Sequence, residues 1–404
     1  MTQSSLSAAE IKAALSLAAV FLLRMLPLFM VMPILTIGES SYRDATPELL
    51  GLALGINGLT QACLQIPLGI LSDRFGRKPV IAVGLLMFMA GSILAAVSSS
   101  VFGLIAGRAL QGAGAVSSAS IALAADLSSE ESRTKVMAII GGSIGISFPI
   151  AFIIGPLLFG QIGLNGLFYI SAVCAVLAII VLLFIVPKPE SIQTINKHGL
   201  KEFIKIIKNP VLIRLDISIF ASHLILMANF VVIPIVLRDL INIPTSDHSS
   251  IYITVFVLSL LITVPLILTG DRGKRSSQYF VFSIFLLLLS QIGLYFIEPS
   301  KWLIIALLVL YFGAFNYLES YLPSEISKRV DPGQKGSALG VYSASQFIGI
   351  FCGGALGGML YQTFAMNGVY LLNLCLAIVW LVVVLLMPAT NQSSAKNELE
   401  QESA

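Results

Sequence analysis

The sequence predicts an all-α membrane protein whose 12 transmembrane helices form two pseudo-symmetric six-helix bundles. Of its 404 residues, 57% are hydrophobic and only 11% are charged, whereas a soluble chain is about 25% charged. The mean hydropathy is +0.93. Long apolar runs and a repeated loop pattern support the same prediction. The composition excludes a disordered chain, a fibre, a disulfide scaffold and a protein with a single membrane anchor.

Twelve apolar runs are long enough to cross a membrane, which takes about 20 residues of helix. Several contain Gly and Pro, which membrane helices tolerate better than soluble ones do. We number the runs span one to span twelve in chain order: 13–37, 48–71, 79–97, 101–125, 135–160, 166–186, 211–237, 250–269, 277–297, 302–323, 335–361 and 367–387.

The basic residues predict how the spans are oriented. If the N-terminus lies in the cytoplasm, eighteen Lys and Arg residues fall in inner loops and tails, and three fall in outer loops: Arg43, Arg238 and Lys301. Inner loops of membrane proteins carry such an excess of positive charge. We therefore expect both termini in the cytoplasm and, for a bacterial source, an inner-membrane location.

The two halves of the chain resemble each other. The loop 72–78 after span two has a counterpart at 270–275 after span eight, and Lys135 opens span five as Lys335 opens span eleven. Repeated halves are typical of secondary transporters. The predicted domains are a bundle at 1–187, a linker at 188–210 with an amphipathic surface helix over 200–208, a second bundle at 211–388 and a short cytoplasmic tail at 389–404.

The loop after span two resembles motif A of the major facilitator superfamily. It reads GILSDRFGRK from Gly69 to Lys78, and every fixed position of the motif is present. The resemblance implies a gate in which Asp73 docks near Lys335 and Gly336 of span eleven while Arg77 pairs with Asp126. A plain positive-inside loop is the alternative. The expected gate residues are Gly69, Asp73, Arg74, Gly76, Arg77, Lys78 and Asp126.

Span four carries a second resemblance, to motif B of the same family. The sequence RALQGAG runs from Arg108 to Gly114. A charge at the bilayer centre costs about 2.5–3.5 kcal/mol on insertion scales, so it persists only where it is paired or functional. The resemblance places Arg108 against span one, either as a structural group or as a proton-linked one.

Span five resembles motif C, the antiporter motif, although the second Gly of the usual closing pair is displaced. Small residues let helices approach closely and Pro bends one of them. Ordinary glycine-rich packing is the alternative reading. Within the family this motif marks export rather than uptake. Its residues here are Gly141, Gly145, Gly155 and Pro156.

The resemblance covers residues 13–387 and is strongest to the twelve-span drug:proton antiporter branch, in particular its YajR-type transporters. The stretches 21–26, 58–61 and 342–347 carry this closer likeness. The YajR type has an additional soluble C-terminal domain, whereas this chain is expected to end in a short polar tail. Regulation by such a domain is therefore not carried over.

A proton-coupled exporter needs a group that titrates within the membrane. The candidates are Glu319 in span ten, His223 in span seven, Arg24 in span one and Arg108. Each has a structural alternative. Glu319 could reach water near a helix end at Pro323, His223 could join two helices, and a buried arginine could be held by backbone carbonyls.

Polar and aromatic residues on the spans are candidates for binding substrate. An aromatic cavity with one or two acids suits lipophilic, often cationic compounds, although phenylalanines in membrane helices also face lipid. Asn57, Gln61 and Gln65 form a stripe on span two at spacings of four residues. The candidates are Asn57, Gln61, Gln65, Phe29, Phe148, Phe230, Phe315, Asn316, Tyr342 and Gln346.

Several function classes are disfavoured by what the sequence lacks. It has no Walker A motif, no HExxH, no GxSxG and no metal cluster, so we expect no enzyme and no cofactor. A net charge of +3 with scattered basic residues argues against nucleic acid. The four cysteines lie in apolar runs and are expected to be buried apolar residues.

The predicted function is export of small lipophilic or amphipathic compounds in exchange for protons, by alternating access. The expected partners are a small-molecule substrate, protons and membrane lipid, and the expected state is a monomer. Two alternatives remain open at this stage. One is transport of a metabolite such as a sugar or amino-acid derivative within the same fold, and the other is a receptor or scaffold that transports nothing.

Overall fold

The computed structural model describes residues 6–188, 206–270, 274–298, 300–330 and 334–387. Within these ranges the regular structure is helical, and the one extended contact is an isolated bridge between Arg43 and Ser100. The predicted all-α fold is confirmed. Most of the amphipathic stretch at 200–208, the loop residues 271–273 and the tail at 389–404 lie outside the described residues.

The described helices follow the predicted spans in order. The first half contains Ala8–Val31, Pro47–Phe75, Arg77–Val97, the pair Val101–Ala113 and Ser117–Asp126, and Arg133–Ile180. The second half contains Pro210–Ile235, His248–Gly270, Lys274–Phe296, Lys301–Arg329 and Lys335–Leu386.

Nine helices of the described residues are long and apolar enough to cross a membrane. Two of these are double, because backbone with a positive φ interrupts them at Gly163 (67°) and Ala365 (52°). Each of the two therefore supplies a pair of spans. The two short helices between residues 101 and 126 together supply span four, which completes the predicted twelve.

Local sequence signals fix several helix starts. The Ser7 hydroxyl accepts a hydrogen bond from the Glu10 N–H, and the Glu10 carboxylate accepts one from the Ser7 N–H, which is a capping box. Thr46 caps the second helix, which has Pro47 at its first position. Asn209 and Pro210 repeat this pattern at span seven.

The end of span ten differs from the prediction. The helix runs on past Pro323 and ends at Arg329, so Glu319 lies ten residues, or about 15 Å, inside its end. Proline has no N–H, so Pro323 interrupts the helix ladder without ending the helix. The polar last turns are held by Glu325, which accepts hydrogen bonds from Arg329 (2.9 Å) and Lys328 (3.3 Å).

The halves are in close contact at one end of the molecule. We call the end that carries the motif A loop the basic end and the opposite end the distal end. Along the distal part of span two, Gly51, Gly55 and Gly58 lie against the backbone of span eleven. A Cβ added to Gly55 would stand 2.7 Å from the carbonyl oxygen of Phe351. Only glycine permits this approach.

The same two spans separate toward the basic end. Gly340 and Gly336 continue span eleven in that direction, and a Cβ on either would meet nothing within 4 Å. Closer to the basic end on span two, a Cβ on Gly69 would meet Ser118 of its own half. The space between the halves therefore opens toward the basic end.

In the part of the chain that the structure describes, four hydrogen bonds join the halves at the distal end. Their donors and acceptors are Thr36 Oγ1 and Phe230 O (3.4 Å), Arg238 and Ile37 O (2.9 Å), Glu48 N and Gln362 Oε1 (3.2 Å), and Ser249 Oγ and Ile153 O (2.7 Å). The first has a clear cause. Because Pro234 has no N–H, the Phe230 carbonyl is free to accept from Thr36.

Candidate transport site

Three polar side chains meet inside the second half. The Nδ1 atom of His223 lies 3.7 Å from Oε1 of Glu319, which joins span seven to span ten. Its Nε2 atom lies 2.8 Å from the amide nitrogen of Gln346 on span eleven. The structure thus brings together three residues that the sequence analysis placed in two separate groups, the proton candidates and the cavity candidates.

The hydrogen bonds around His223 fit a neutral ring. Its Nδ1 lies 3.2 Å from the Ile219 carbonyl oxygen, so a proton on Nδ1 has an acceptor there. Nε2 then accepts from Gln346. A proton added to Nε2 would face the Gln346 amide donor, and relieving that clash would require the amide to turn. Protonation of His223 would therefore be coupled to a turn of the Gln346 side chain on span eleven.

Glu319 lies at the edge of the packed helices. Its side chain is 33% exposed, yet Oε1 is buried and has no hydrogen-bond partner. Pro323 also leaves the Glu319 carbonyl without its usual intrahelical donor, because proline has no N–H. Such a carboxyl group can meet water from the open basic end and remain next to His223.

Three further cavity candidates lie on spans ten and eleven, close in sequence to Glu319 and Gln346. Asn316, a cavity candidate, donates to the Ser259 hydroxyl of span eight at 3.5 Å. Phe315 packs against His223 with ring centroids 5.5 Å apart. Tyr342 is buried on span eleven, one helical turn before Gln346.

An aromatic cluster bridges the halves on the distal side. Phe148 contacts Phe29 of span one at a centroid distance of 5.2 Å and Phe256 of span eight at 5.7 Å. Phe152 contacts Phe230 of span seven at 4.7 Å. Phe29, Phe148 and Phe230 were predicted from the sequence. Four further members were not predicted, although the spacing of four in the pairs Phe148/Phe152 and Tyr252/Phe256 was a usable signal. They are Phe152, Tyr252, Phe256 and Phe312.

Arg24 lies buried inside the first half. Its guanidinium donates to Gln61 Oε1 at 3.2 Å, to the Gly114 carbonyl at 3.2 Å and to the Ser117 hydroxyl at 3.3 Å. The whole polar stripe of span two, Asn57, Gln61 and Gln65, is at most 5% exposed. In this conformation the stripe faces its own bundle rather than open space.

Arg108 contacts a different helix from the one that the motif B resemblance implies. It donates to the carbonyls of Ala53 (3.2 Å) and Leu54 (3.5 Å) on span two, and to the Gln111 side chain at 2.9 Å. Gln111 in turn donates to Ser92 at 2.8 Å. The expected position against span one is wrong, because glycines such as Gly112 bring span four directly onto span two.

The motif A residues form a network within the first half. Arg77 donates to Asp126 at 3.0 Å, to Ser72 at 2.8 Å and to Asp73. The expected docking of Asp73 near Lys335 and Gly336 is not made in this structure, since Gly336 has open space beside it. The physical reason is the separation of the halves at the basic end.

The other members of the motif A loop have separate local roles. Gly76 adopts a φ of +93°, which favours glycine, and it turns span two into span three. Lys78 donates to the Val186 carbonyl at the end of span six. Arg74 lies over the Phe75 ring at 6.0 Å, and Gly69 faces Ser118.

The motif C glycines divide into two kinds. A Cβ on Gly155 would stand 2.5 Å from the Met30 carbonyl, so Gly155 and Pro156 mark a close contact between spans five and one. Gly141 and Gly145 have nothing within 4 Å. These two lie toward the basic end, where a neighbouring helix is absent from the glycine face among the described residues.

Comparison with known proteins supports this architecture. The family model described as Major Facilitator Superfamily matches residues 17–323 and 323–404. The inner membrane transport protein YajR of Escherichia coli strain K12 is 41% identical over 385 residues, which is 95% of this chain and 85% of that protein. The chain belongs to the Major Facilitator Superfamily.

A more distant relative and a solved structure agree with this fold. Multidrug resistance protein MdtH of Yersinia enterocolitica is 25% identical over 85% of each chain. The crystal structure of a D-xylose-proton symporter superimposes with a TM-score of 0.75 at 15% identity, covering 94% of this chain and 98% of that one. The chain described here is therefore a multi-pass integral membrane transporter, and its relatives are transporters rather than enzymes.

Proposed function

We propose that this transporter exports small lipophilic or amphipathic compounds in exchange for protons. The observation that carries the proposal is the contact of Glu319 with His223 at the edge of the open space, with Gln346 as the second partner of the imidazole. It supplies a carboxyl group that water can reach and a neutral base beside it. No other carboxylate among the described residues of the spans forms an ion pair with a histidine.

The proposed cycle uses alternating access. A proton taken up from the distal side neutralises Glu319 and favours the state that is open to the basic end. Loss of the proton there restores the carboxylate, which then binds the outgoing compound. Proton and compound compete for one site or one conformation, so each lowers the affinity of the protein for the other.

The aromatic cluster around Phe148 and Phe152 supports lipophilic substrates. Its rings come from both halves, so a planar compound bound there would contact each half. The multidrug assignment of MdtH is consistent with such a surface. Transport of a sugar or an amino-acid derivative is the competing outcome of the tests below.

We further propose the membrane arrangement that the basic residues predict. The protein is a monomer of two six-helix bundles in the inner membrane, and both termini lie in the cytoplasm. The basic end is then the cytoplasmic end, and this structure is the inward-open state. Its motif A residues make the outward-open lock only when the halves close at that end.

Dye efflux from energised cells tests the proposed coupling. Cells expressing the wild type or Glu319→Gln are loaded with ethidium and a small panel of lipophilic cations, with and without a protonophore. We expect wild-type efflux that collapses with the protonophore and falls at least tenfold in Glu319→Gln.

The matched control is Glu130→Gln, which removes a carboxylate from an exposed loop and should leave efflux unchanged. Equal efflux by wild type and Glu319→Gln would overturn the role of Glu319. If the wild type moves no member of the panel but transports a sugar or amino-acid derivative in proteoliposomes, the drug-export proposal is wrong.

A further inference from the structure

Span four is broken near its middle. Its two helices end at Ala113 and begin again at Ser117, and no side chain caps the start of the second one. The break is held tightly, since a Cβ on Gly84 of span three would meet Val116 at 2.2 Å. The first N–H groups of a helix lack intrahelical acceptors and carry a partial positive charge.

A buried cation stands beside this helix start. Arg24 is 1% exposed, and it donates to both sides of the break, to the Gly114 carbonyl and to the Ser117 hydroxyl. All of its hydrogen-bond partners in the described part of the chain are uncharged. Its Nε atom is buried and has no partner at all.

Gln61 adds a further unused donor at the same place. Its Oε1 accepts from Arg24, while its Nε2 is buried and unpaired. The unpaired polar groups around the guanidinium therefore include two donors, on Arg24 and Gln61. Asp126, the nearest carboxylate along the helix, lies nine residues on, about 14 Å away, and it is already paired with Arg77.

We propose that the break in span four is a binding site for a carboxylate carried by the transported compound. Arg24 supplies the charge, Gln61 supplies an amide donor, and the N–H groups of the helix starting at Ser117 supply the remaining bonds. Arg24 and Gln61 are closed off from open space in this conformation, and the partly exposed Ser117 is the point of entry. Helix starts inside membranes are suited to anionic substrate groups.

This inference rests on the proposed function and narrows its substrate class. Glu319 in the second half attracts a cationic group, and the break in the first half attracts an anionic one. The favoured substrates are therefore amphipathic zwitterions rather than simple lipophilic cations.

Equilibrium binding to the purified full-length protein tests the site without a proton gradient. The probes are rhodamine B, which carries one carboxylate, and its ethyl ester, which differs only by masking that carboxylate. We expect the wild type to bind rhodamine B at least tenfold more tightly than the ester. Arg24→Gln should abolish this preference, and Arg24→Lys should keep part of it.

Arg43→Gln is the matched control, because it removes the same charge from an exposed position and should keep the wild-type preference. Equal binding of the two dyes by the wild type, or a preference that survives Arg24→Gln, would overturn the proposal. Should Arg24→Gln fail to fold, the wild-type preference and the Gln61→Leu variant decide in the same way.

A second measurement separates this site from drug export. The melting temperature of the wild type is followed with sodium benzoate and with benzamide at equal concentrations. A rise with benzoate alone, reduced in Arg24→Lys and lost in Arg24→Gln, would support the carboxylate site even if no dye is exported. Absence of any benzoate-specific rise, together with no rhodamine B preference, would overturn it even if efflux of cations is observed.

Discussion

Glu319 and Arg24 are two of the few charged residues inside the predicted spans. Each carries a buried polar atom without a partner, Oε1 in the carboxylate and Nε in the guanidinium. Leaving a buried polar group unpaired costs about 1–3 kcal/mol. Both residues belong to the proposed transport cycle, in which a proton or a substrate group would use these atoms.

Arg108 is the contrasting case, because its donors are used by the fold. Replacing it by Lys would leave the Ala53 carbonyl, the Leu54 carbonyl and Gln111 competing for one ammonium group. We expect Arg108→Lys to lose about 1–3 kcal/mol of stability, seen as a lower melting temperature in detergent. Arg43→Lys, at an exposed site, should change the melting temperature little. An equal loss of stability in both variants would contradict a structural role of Arg108.

Gln346 is predicted to stabilise the neutral imidazole. The variant Gln346→Leu removes the donor to Nε2 of His223 and leaves that atom buried without a partner. The expected cost is about 1–3 kcal/mol, measured by thermal unfolding of the purified protein. Gln362→Leu, which removes an exposed hydrogen bond to Glu48, should cost less. A larger loss of stability in Gln362→Leu than in Gln346→Leu would contradict this prediction.

At the scale of the helices, the contact between spans two and eleven sets how far the distal end can close. The backbones approach so closely at Gly51, Gly55 and Gly58 that any side chain would collide with span eleven. The contact therefore depends on glycine at each turn, and it belongs to the state that is open at the basic end.

The variant Gly55→Leu should disfavour that state. Its side chain would push against Phe351, so we expect transport to fall at least tenfold while the protein still folds in the membrane. Gly160→Leu is the control, since nothing lies within 4 Å of a Cβ at that position. Spin-label distances across the distal end should lengthen in Gly55→Leu only, and unchanged distances would refute the interpretation.

Span boundaries show where sequence reasoning succeeded and where it stopped. Apolar runs and basic loops predicted the twelve spans because each span is a local property of its own residues. The prediction that Pro323 ends span ten was wrong, because the polar turns after it are stabilised by the Glu325 pairs with Lys328 and Arg329. The break in span four was missed because its cause, packing on Gly84, is a contact between helices.

At the scale of the whole molecule, site residues were harder to predict than the fold. Glu319, His223 and Gln346 were each found from their rarity in apolar runs, but their meeting depends on how three spans pack. The position of Arg108 was predicted from family resemblance and was wrong for the contact helix. The span-two stripe was found from its spacing, yet spacing does not say whether a stripe faces the cavity or its own bundle.

The separation of the halves gives a prediction for the intact transporter. In a variant whose four native cysteines are replaced by serine, Glu48→Cys with Gln362→Cys should cross-link at the distal end, where these residues are in contact. Cross-linking should arrest transport, and reduction should restore it. Transport that continues at the wild-type rate in the fully cross-linked protein would contradict alternating access through that end.

The pair Asp73→Cys with Gly336→Cys is the counterpart at the basic end. We expect it to cross-link only during turnover, because Gly336 has open space beside it in this structure. Immediate cross-linking of the resting protein would mean that the resting state differs from the structure described above.

The acceptor atoms at the distal end affect which side chains of this transporter can be substituted during evolution. Three of the four bonds that hold the halves together there end on main-chain oxygens, those of Phe230, Ile37 and Ile153. A main-chain oxygen survives almost any replacement of its own side chain. Phe230 can therefore be exchanged to suit a new compound while the bond from Thr36 persists. In the proposed function, substrate selectivity depends on the side chain of Phe230, whereas closure of the distal end depends on its main-chain oxygen. Mutations can therefore change selectivity without breaking the hydrogen bond that closes this end.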